Sequence, residues 1–519
     1  HSVVVPCPQY PSATNPNRPI LYEAISITAV ECGEIGVDKK HDSELRCDED
    51  RLNMSTHIRE SRKDRMAIVW AGSALLKDGW FEAVRIAIDA NGLIESVTPD
   101  TPPEGIRRGV VLPSPTNVHS HSFQRSMAGL TERRGPDPSD SFWTWRQLMY
   151  RFLDQLTPDD VEAIAAFVQM EMLEAGYSTN VEFHYLHHQS DGRPYAAVSE
   201  MSDRIVAAAQ TTGIGLTLLP VLYQYAGCDK RPLGRGQIRF GNSLDDFQRL
   251  FESATHSVSQ LPPDSRIGVA PHSLRAVSPD DIVKIEQMAA GGPVHMHLAE
   301  QMAEVNEVVA SHGMKPVRLF LESCMRPADW CVIHCTQMDA DETRSLAASG
   351  AVAGLCPITE ASLGDGIFNA SDWMAAGGSI GIGSDSNVRI SLSEELRMLE
   401  YSQRLRDHSR AALASQHKST GRRLFEAINA GGARAAGRNS GRIAPGYVAD
   451  LVALDSNNIC LANRKGDSLL DSYIFSGSDS LVADVWSSGR HLVVEGRHIH
   501  HASIEQQYRK VMQNLKDVL

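Results

Sequence analysis

Between Ile68 and Val97 apolar and polar positions alternate, most plainly at Val84, Ile86 and Ile88, and the alternation breaks at Lys77-Asp78-Gly79 and at Asp89-Ala-Asn-Gly92. Period-two alternation bounded by turn residues predicts a small group of strands. From residue 113 to 441 the pattern changes. Continuous apolar runs at 213–222, 292–298, 330–334, 351–356 and 379–385 are separated by amphipathic helical stretches. Repeated βα alternation of this length predicts an α/β fold, a TIM-like (β/α)8 barrel whose strands are covered on both faces. Strand signals return at 441–446, 449–455 and 482–494. We therefore expect a barrel over 113–441 and a small β-sandwich built from both flanking segments, 66–112 and 442–519, the latter closing with a C-terminal helix. Residues 1–65 carry much Pro, Asn, Asp and charge but little periodicity, and they do not read as a signal peptide. Met66 is the expected natural start, with 1–65 a poorly patterned extension that is loosely ordered or not native.

The composition suits such a fold and narrows its partners. Of 519 residues 42% are hydrophobic and 22% charged, the proportions of a globular protein. No apolar run approaches the roughly 20 residues of a membrane span. The formal net charge is −14 and no basic stretch is dense enough to track a phosphate backbone, so neither a membrane nor a nucleic acid is an expected partner. Nine cysteines, at 7, 32, 47, 228, 324, 331, 335, 356 and 460, form no CxxC pair. They fit neither a disulfide framework nor a thiolate zinc site, and a cytoplasmic location is expected. An anionic substrate would need local arginines.

Chemistry enters at the ends of the apolar runs. His119-Ser-His121 ends an expected strand running from Gly109 to Val118, and on a strand residues two apart face the same side. The motif alone is weak, because His-x-His occurs three times here, at 119/121, 295/297 and 498/500. Three later strand ends also carry candidate ligands: Val294-His-Met-His-Leu-Ala-Glu300, Val332-Ile-His334 and Gly381-Ile-Gly-Ser-Asp385. In a parallel barrel these ends converge on one face. Three imidazoles and a carboxylate would hold one divalent ion and leave room for water. His297 and Glu300 form HxxE, which places Glu300 beside the metal as a proton shuttle.

His119-x-His121, His297-x-x-Glu300, His334 and Asp385 in this order resemble the mononuclear deaminase branch of the amidohydrolase superfamily. Thr217-Leu-Leu-Pro-Val-Leu-Tyr223 lacks the bridging lysine of that superfamily's two-metal members. The resemblance implies one divalent ion per chain, Zn2+, on His119, His121, His297 and Asp385, with Glu300 and His334 catalytic. Longer stretches, among them residues 119–132, 140–150, 182–185, 272–276 and 363–368, are similar to the formimidoylglutamate deiminase family. That similarity, over residues 66–497, implies substrate contacts at Gln124, Arg146, Tyr185, His272 and Arg275, a small dianionic amidine as substrate, and a homodimer. Guanidinium forks suit two carboxylates, which makes Arg146 and Arg275 the candidates. Arg146 could instead serve as a cation–π or helix-surface residue, and Tyr185 as a core tyrosine. His184, His187 and His188 read as structural.

The chain departs from that family at three places: Pro113-Ser-Pro-Thr-Asn117 replaces Pro-Gly-Met-Pro-Asn, and Tyr225 and Asn387 stand where histidine is common. The implied reaction is hydrolysis of N-formimidoyl-L-glutamate to N-formyl-L-glutamate and ammonia by a metal-activated water, as in histidine degradation. His334 would orient the water and Glu300 carry its proton to the leaving nitrogen. Two alternatives stay open. One is another mononuclear amidohydrolase, a guanine- or adenosine-type deaminase or an imidazolonepropionase, for which aromatic stacking would suit the ring better than paired arginines. The other is a non-catalytic barrel.

Overall fold

The computed structural model describes residues 67–132 and 142–516. The expectation for residues 1–65, and part of the tryptophan-rich segment after Asp140, lie outside the described residues. The chain first lays down β1 (Ala67–Leu76), β2 (Gly79–Ile88), β3 (Ile94–Thr98) and β4 (Ile106–Pro113). β1, β2 and β3 pair antiparallel through the turns at Gly79 and Gly92, and β4 pairs parallel to β1. Val84, Ile86 and Ile88 fall on the buried face, as their alternation predicts.

The barrel follows as β5 (Thr116–Ser120), β6 (Thr179–His184), β7 (Gly215–Leu222), β8 (Arg266–Ile267), β9 (Ala270–Pro271), β10 (Val294–Leu298), β11 (Trp330–His334), β12 (Val352–Leu355) and β13 (Ser379–Ile382). All its ladders are parallel, and β8 and β9 occupy one position beside β7. Bridges from Val269 to Val294 and from Ser273 to His297 carry the ring on to β10, and β13 returns to β5. Every residue of β5, β6, β7, β10 and β11 is buried, because packed side chains fill the interior and helices cover the outside. The helix Thr420–Ala435 lies against β13 at Gly431, where an added Cβ would stand 2.0 Å from the carbonyl oxygen of Ile380.

The last strands are β14 (Leu451–Leu454), β15 (Val482–Ser487), β16 (Arg490–Val494) and β17 (Arg497–His498). β14 pairs antiparallel with β4, so both flanking segments join in one eight-stranded sheet ordered β17-β16-β15-β14-β4-β1-β2-β3. The final helix, His501–Leu515, packs on the helix Pro158–Glu174.

Two strand readings differ from the sequence pattern. The run from Gly109 to Val118 is two strands in two sheets, broken at Ser114-Pro115. Pro115 has no N–H for a ladder. Ser114 ties the crossing, its N–H donating to Asp450 O at 2.9 Å and its hydroxyl to Gly176 O at 2.7 Å. Residues 441–446 are irregular rather than a strand. Pro445 interrupts them, Ile443 alone reaches the sheet core, and Gly446 N–H donates to Ile94 O at 2.8 Å.

Candidate metal centre and substrate pocket

The C-terminal ends of β5, β10, β11 and β13 gather the histidines and carboxylates on one face. Gly383 lets the end of β13 touch β5, since a Cβ there would meet the backbone of His119 at 2.8 Å. Left-handed backbone at Ala299 (φ 50°), His334 (φ 70°) and Asp385 (φ 45°) turns the chain sharply where the strands stop. Such conformations are uncommon for residues with a Cβ and cost on the order of 1 kcal/mol each. Their concentration at this rim marks it as the working face.

Ligand atoms of His119, His121, His297 and Asp385, all buried, lie within 4.8 Å of one another. A carbonyl oxygen only accepts, so Nδ1 of His121, 2.9 Å from Phe183 O, and Nδ1 of His297, 3.0 Å from His272 O, each carry the ring proton. Their Nε2 atoms are therefore lone pairs. They face Asp385 Oδ1 at 3.2 Å and His119 Nε2 at 3.1 Å, while His119 Nε2 stands 3.4 Å from the same carboxylate oxygen. Even a proton on His119 Nε2 could not satisfy a carboxylate and two lone pairs together, so this donor set fits one divalent cation. Burial outweighs Asp385 and lowers His119 to a pKa of about 3, which keeps it in the neutral form that ligates metals. Cys356 also approaches His334 and Asp385, but it packs with Val118, Cys331 and Ile333 in the apolar interior.

A polar brace holds this cluster. Asn117 Nδ2 donates to Ser384 Oγ at 2.6 Å, Ser384 Oγ to Asn387 Oδ1 at 2.6 Å, and Asn387 Nδ2 to Ser120 Oγ at 3.1 Å. Asn387, one of the three departures, thus stitches the ends of β5 and β13. Buried Glu182 accepts from Ser122 N–H and Oγ, both at 2.7 Å, and from Asn180 at 3.0 Å, though burial still leaves its pKa raised.

Beside the cluster, His334 Nε2 lies 3.9 Å from Glu300 Oε1 and 3.7 Å from Asp385 Oδ2, and its Nδ1 lies 3.3 Å from Glu360 Oε1. Burial works to discharge His334, but Glu300, Glu360 and Asp385 prevail and push its pKa up to about 10. Burial raises the Glu300 carboxyl. Glu304 Oε2 accepts from Glu300 N–H at 3.0 Å, and burial brings Glu304 to about 7. Glu360 escapes sequence reasoning because it sits inside a short helix, Pro357–Leu363, with no motif to mark it.

One cavity joins these groups to the expected substrate contacts: Gln124, Arg146, Tyr185, His272 and Arg275 line it with His121, His297, Glu300, His334 and Asp385. Gln124 Nε2 donates to Tyr185 OH at 3.0 Å. Arg146 lies 5.4 Å from the ring centroid of Tyr150 and also donates to Tyr223 OH at 2.7 Å, so it has a cation–π contact and a place in the wall. His272 directly precedes the Ser273–His297 bridge, and Arg275 lies in the turn that follows it. Burial, then Arg275 and Arg146, holds the His272 pKa well below its usual value. Tyr223 is a wall residue that the sequence had shown only as the end of an apolar run. His184, His187 and His188 are buried outside this cavity, His187 Nε2 lying 2.9 Å from Val221 O and His188 Nε2 2.8 Å from Gly241 O. Tyr225 also stays off the wall, its N–H on Ala276 O at 3.1 Å.

A closed parallel barrel with a three-histidine, one-carboxylate centre at its strand ends and an acid–base pair alongside defines a metal-dependent hydrolase. Comparison with known proteins agrees. The model of the amidohydrolase family matches residues 110–492, and that of the formimidoylglutamate deiminase HutF N-terminal domain matches residues 66–107. A formimidoylglutamate deiminase of Pseudomonas aeruginosa is 47% identical over 88% of this chain and 100% of its own length. The crystal structure of an amidohydrolase from Brucella melitensis superposes with a TM-score of 0.83 at 46% identity, covering 87% of this chain and all of that one. An adenosine deaminase from Xanthomonas campestris with bound zinc shares the fold, with a TM-score of 0.72 at 22% identity over 87% of this chain and 98% of that one. The chain belongs to the amidohydrolase family and, within it, to the formimidoylglutamate deiminases.

Proposed function

We propose that this enzyme hydrolyses N-formimidoyl-L-glutamate to N-formyl-L-glutamate and ammonia, a step of histidine degradation. The observation that carries this reading is a single cavity whose wall holds Arg146 and Arg275 together with Glu300, His334 and three members of the ligand cluster, His121, His297 and Asp385. Two guanidinium forks suit a substrate with two carboxylates, whereas a flat neutral purine offers no carboxylate for either to grip.

His119, His121, His297 and Asp385 hold the metal in this reading, and zinc is the ion their nitrogen-rich set suits. Such an ion supplies the Lewis acidity that brings a water toward neutral pKa. His334, fixed by Glu360, orients the attacking water toward the formimidoyl carbon. Glu300 takes a proton from that water as the new C–O bond forms. It returns that proton to the terminal nitrogen, and the second proton, from the hydroxyl now on the carbon, follows to the same nitrogen as the C–N bond breaks, so that ammonia leaves and the N-formyl group keeps the oxygen as its carbonyl. Arg146, Arg275, Gln124, Tyr185 and His272 hold the glutamate part.

The barrel of residues 113–441 supplies the whole site in this assignment, flanked by 66–112 and 442–519, and the working unit is a cytoplasmic homodimer. The test is ammonia release from N-formimidoyl-L-glutamate by metal-analysed protein, with guanine, adenosine and imidazolonepropionate alongside. Turnover of the first alone, lost on chelation, is expected. Turnover of a ring substrate instead would overturn the assignment.

A further inference from the structure

The hydroxyl of Tyr223, one residue beyond β7, makes two hydrogen bonds among the described residues, and it accepts both. Arg146 Nη2 donates at 2.7 Å and Gln237 Nε2 at 2.9 Å. The Gln237 amide cannot be turned the other way, because its Oε1 accepts from Gly234 N–H at 3.1 Å. A hydroxyl oxygen has two acceptor positions. With both filled by N–H donors, its own proton must be given to a third group. Tyr223 is 1% exposed and lines the cavity beside Arg146, His272 and Arg275. The His272 ring packs edge-on against it at 4.5 Å, which limits its swing. Arg146 and Arg275 outweigh burial and hold the phenol below its usual pKa, so its O–H is a strengthened donor.

We propose that Tyr223 is a substrate-binding residue that donates its O–H to the carboxylate Arg146 holds, and that Gln237 is a positioning residue that aims this proton into the cavity. The proposal rests on the reading of a dianionic amidine as substrate. It adds specificity that arginines alone do not give. A phenol proton flanked by a guanidinium matches the two oxygens of one carboxylate, whereas a carbonyl or ring nitrogen would engage only one of the two donors.

The test compares the native chain with Tyr223→Phe on three substrates: N-formimidoyl-L-glutamate, N-formimidoyl-4-aminobutyrate, which lacks the α-carboxylate, and N-formimidoyl-L-2-aminobutyrate, which lacks the side-chain carboxylate. On the full substrate KM should rise roughly 10- to 100-fold with kcat within a few-fold, the loss of one charge-assisted hydrogen bond. On the analogue missing the carboxylate that Tyr223 holds, native and variant kcat/KM should become nearly equal. Gln237→Met, which spares the phenol, should raise KM in the same direction by less. Metal content and melting temperature are measured for every variant, so that misfolding is recognised; if Tyr223→Phe misfolds, Gln237→Met carries the same three-substrate comparison. An unchanged KM, or an equal loss on all three substrates, would overturn the role of Tyr223. If the native chain releases no ammonia from N-formimidoyl-L-glutamate, the substrate assignment itself falls, and the proposal with it.

Discussion

The two halves of the cavity are held by different means. In the metal half, His121 and His297 are fixed by backbone carbonyls, Phe183 O and His272 O, and their own backbones sit at barrel strand ends. In the half lined by Arg146 the contacts run from side chain to side chain, Gln124 to Tyr185 and both Gln237 and Arg146 to Tyr223; the two tyrosines directly follow β6 and β7, but their partners come from a loop and from helices. A backbone-anchored centre keeps its geometry through many substitutions around it, while a side-chain strut fails with any one member. The first half suits a conserved reaction step, and the second suits a choice among substrates.

Three variants would break or sharpen that contrast. His297→Ala should act wholly through the metal half: metal content falls from about one per chain toward zero and ammonia release drops by at least about 10³-fold. Glu300→Gln should separate chemistry from binding, with metal retained and kcat lowered roughly 10²- to 10⁴-fold; unchanged turnover would remove Glu300 from proton transfer. Arg146→Lys should act only in the other half, raising KM about 10-fold or more with metal content intact, because an ammonium cannot copy the fork. Metal loss in that variant would show that the halves are one unit.

The smallest effect concerns stability. Burial raises Glu304 from 4.5 to about 7, so the folded chain holds a proton there that the unfolded chain has released. The folded state then binds more protons over that interval, and stability falls as pH rises from about 4.5 to 7. Thermal unfolding of the metal-free protein across pH 5 to 8 should show this decline, and Glu304→Gln, neutral throughout, should flatten it. An identical slope in the variant would remove Glu304 from the account.

The same contrast explains what the sequence disclosed. His119, His121, His297, His334 and Asp385 were legible because strand periodicity fixes where each side chain faces and barrel strands all end on one side. The alternation at Val84, Ile86 and Ile88 foretold the flanking sheet in the same way. Tyr223 and Glu360 were not legible: one ends an apolar run that reads as core, and the other sits in a two-turn helix, so only tertiary packing gives them work. The break at Ser114-Pro115 was hidden because only those two residues separate β4 from β5, and nothing local shows that the chain changes sheets between them. Residues 441–446 carried strand-like composition, yet Pro445 and a single anchor at Ile443 left them irregular.

The pairing of β4 with β14 also has a temporal side. Leu451 meets Pro113, so the ribosome must make the entire barrel before that edge finds its partner. At about 5–20 residues per second the wait is tens of seconds. Throughout it, β4 presents an open row of backbone donors and acceptors, the kind of edge that recruits stray strands. The newborn chain is thus open to stray pairing along β4 until β14 emerges, and a chaperone that shields β4 over that interval would act where the fold is latest to protect itself.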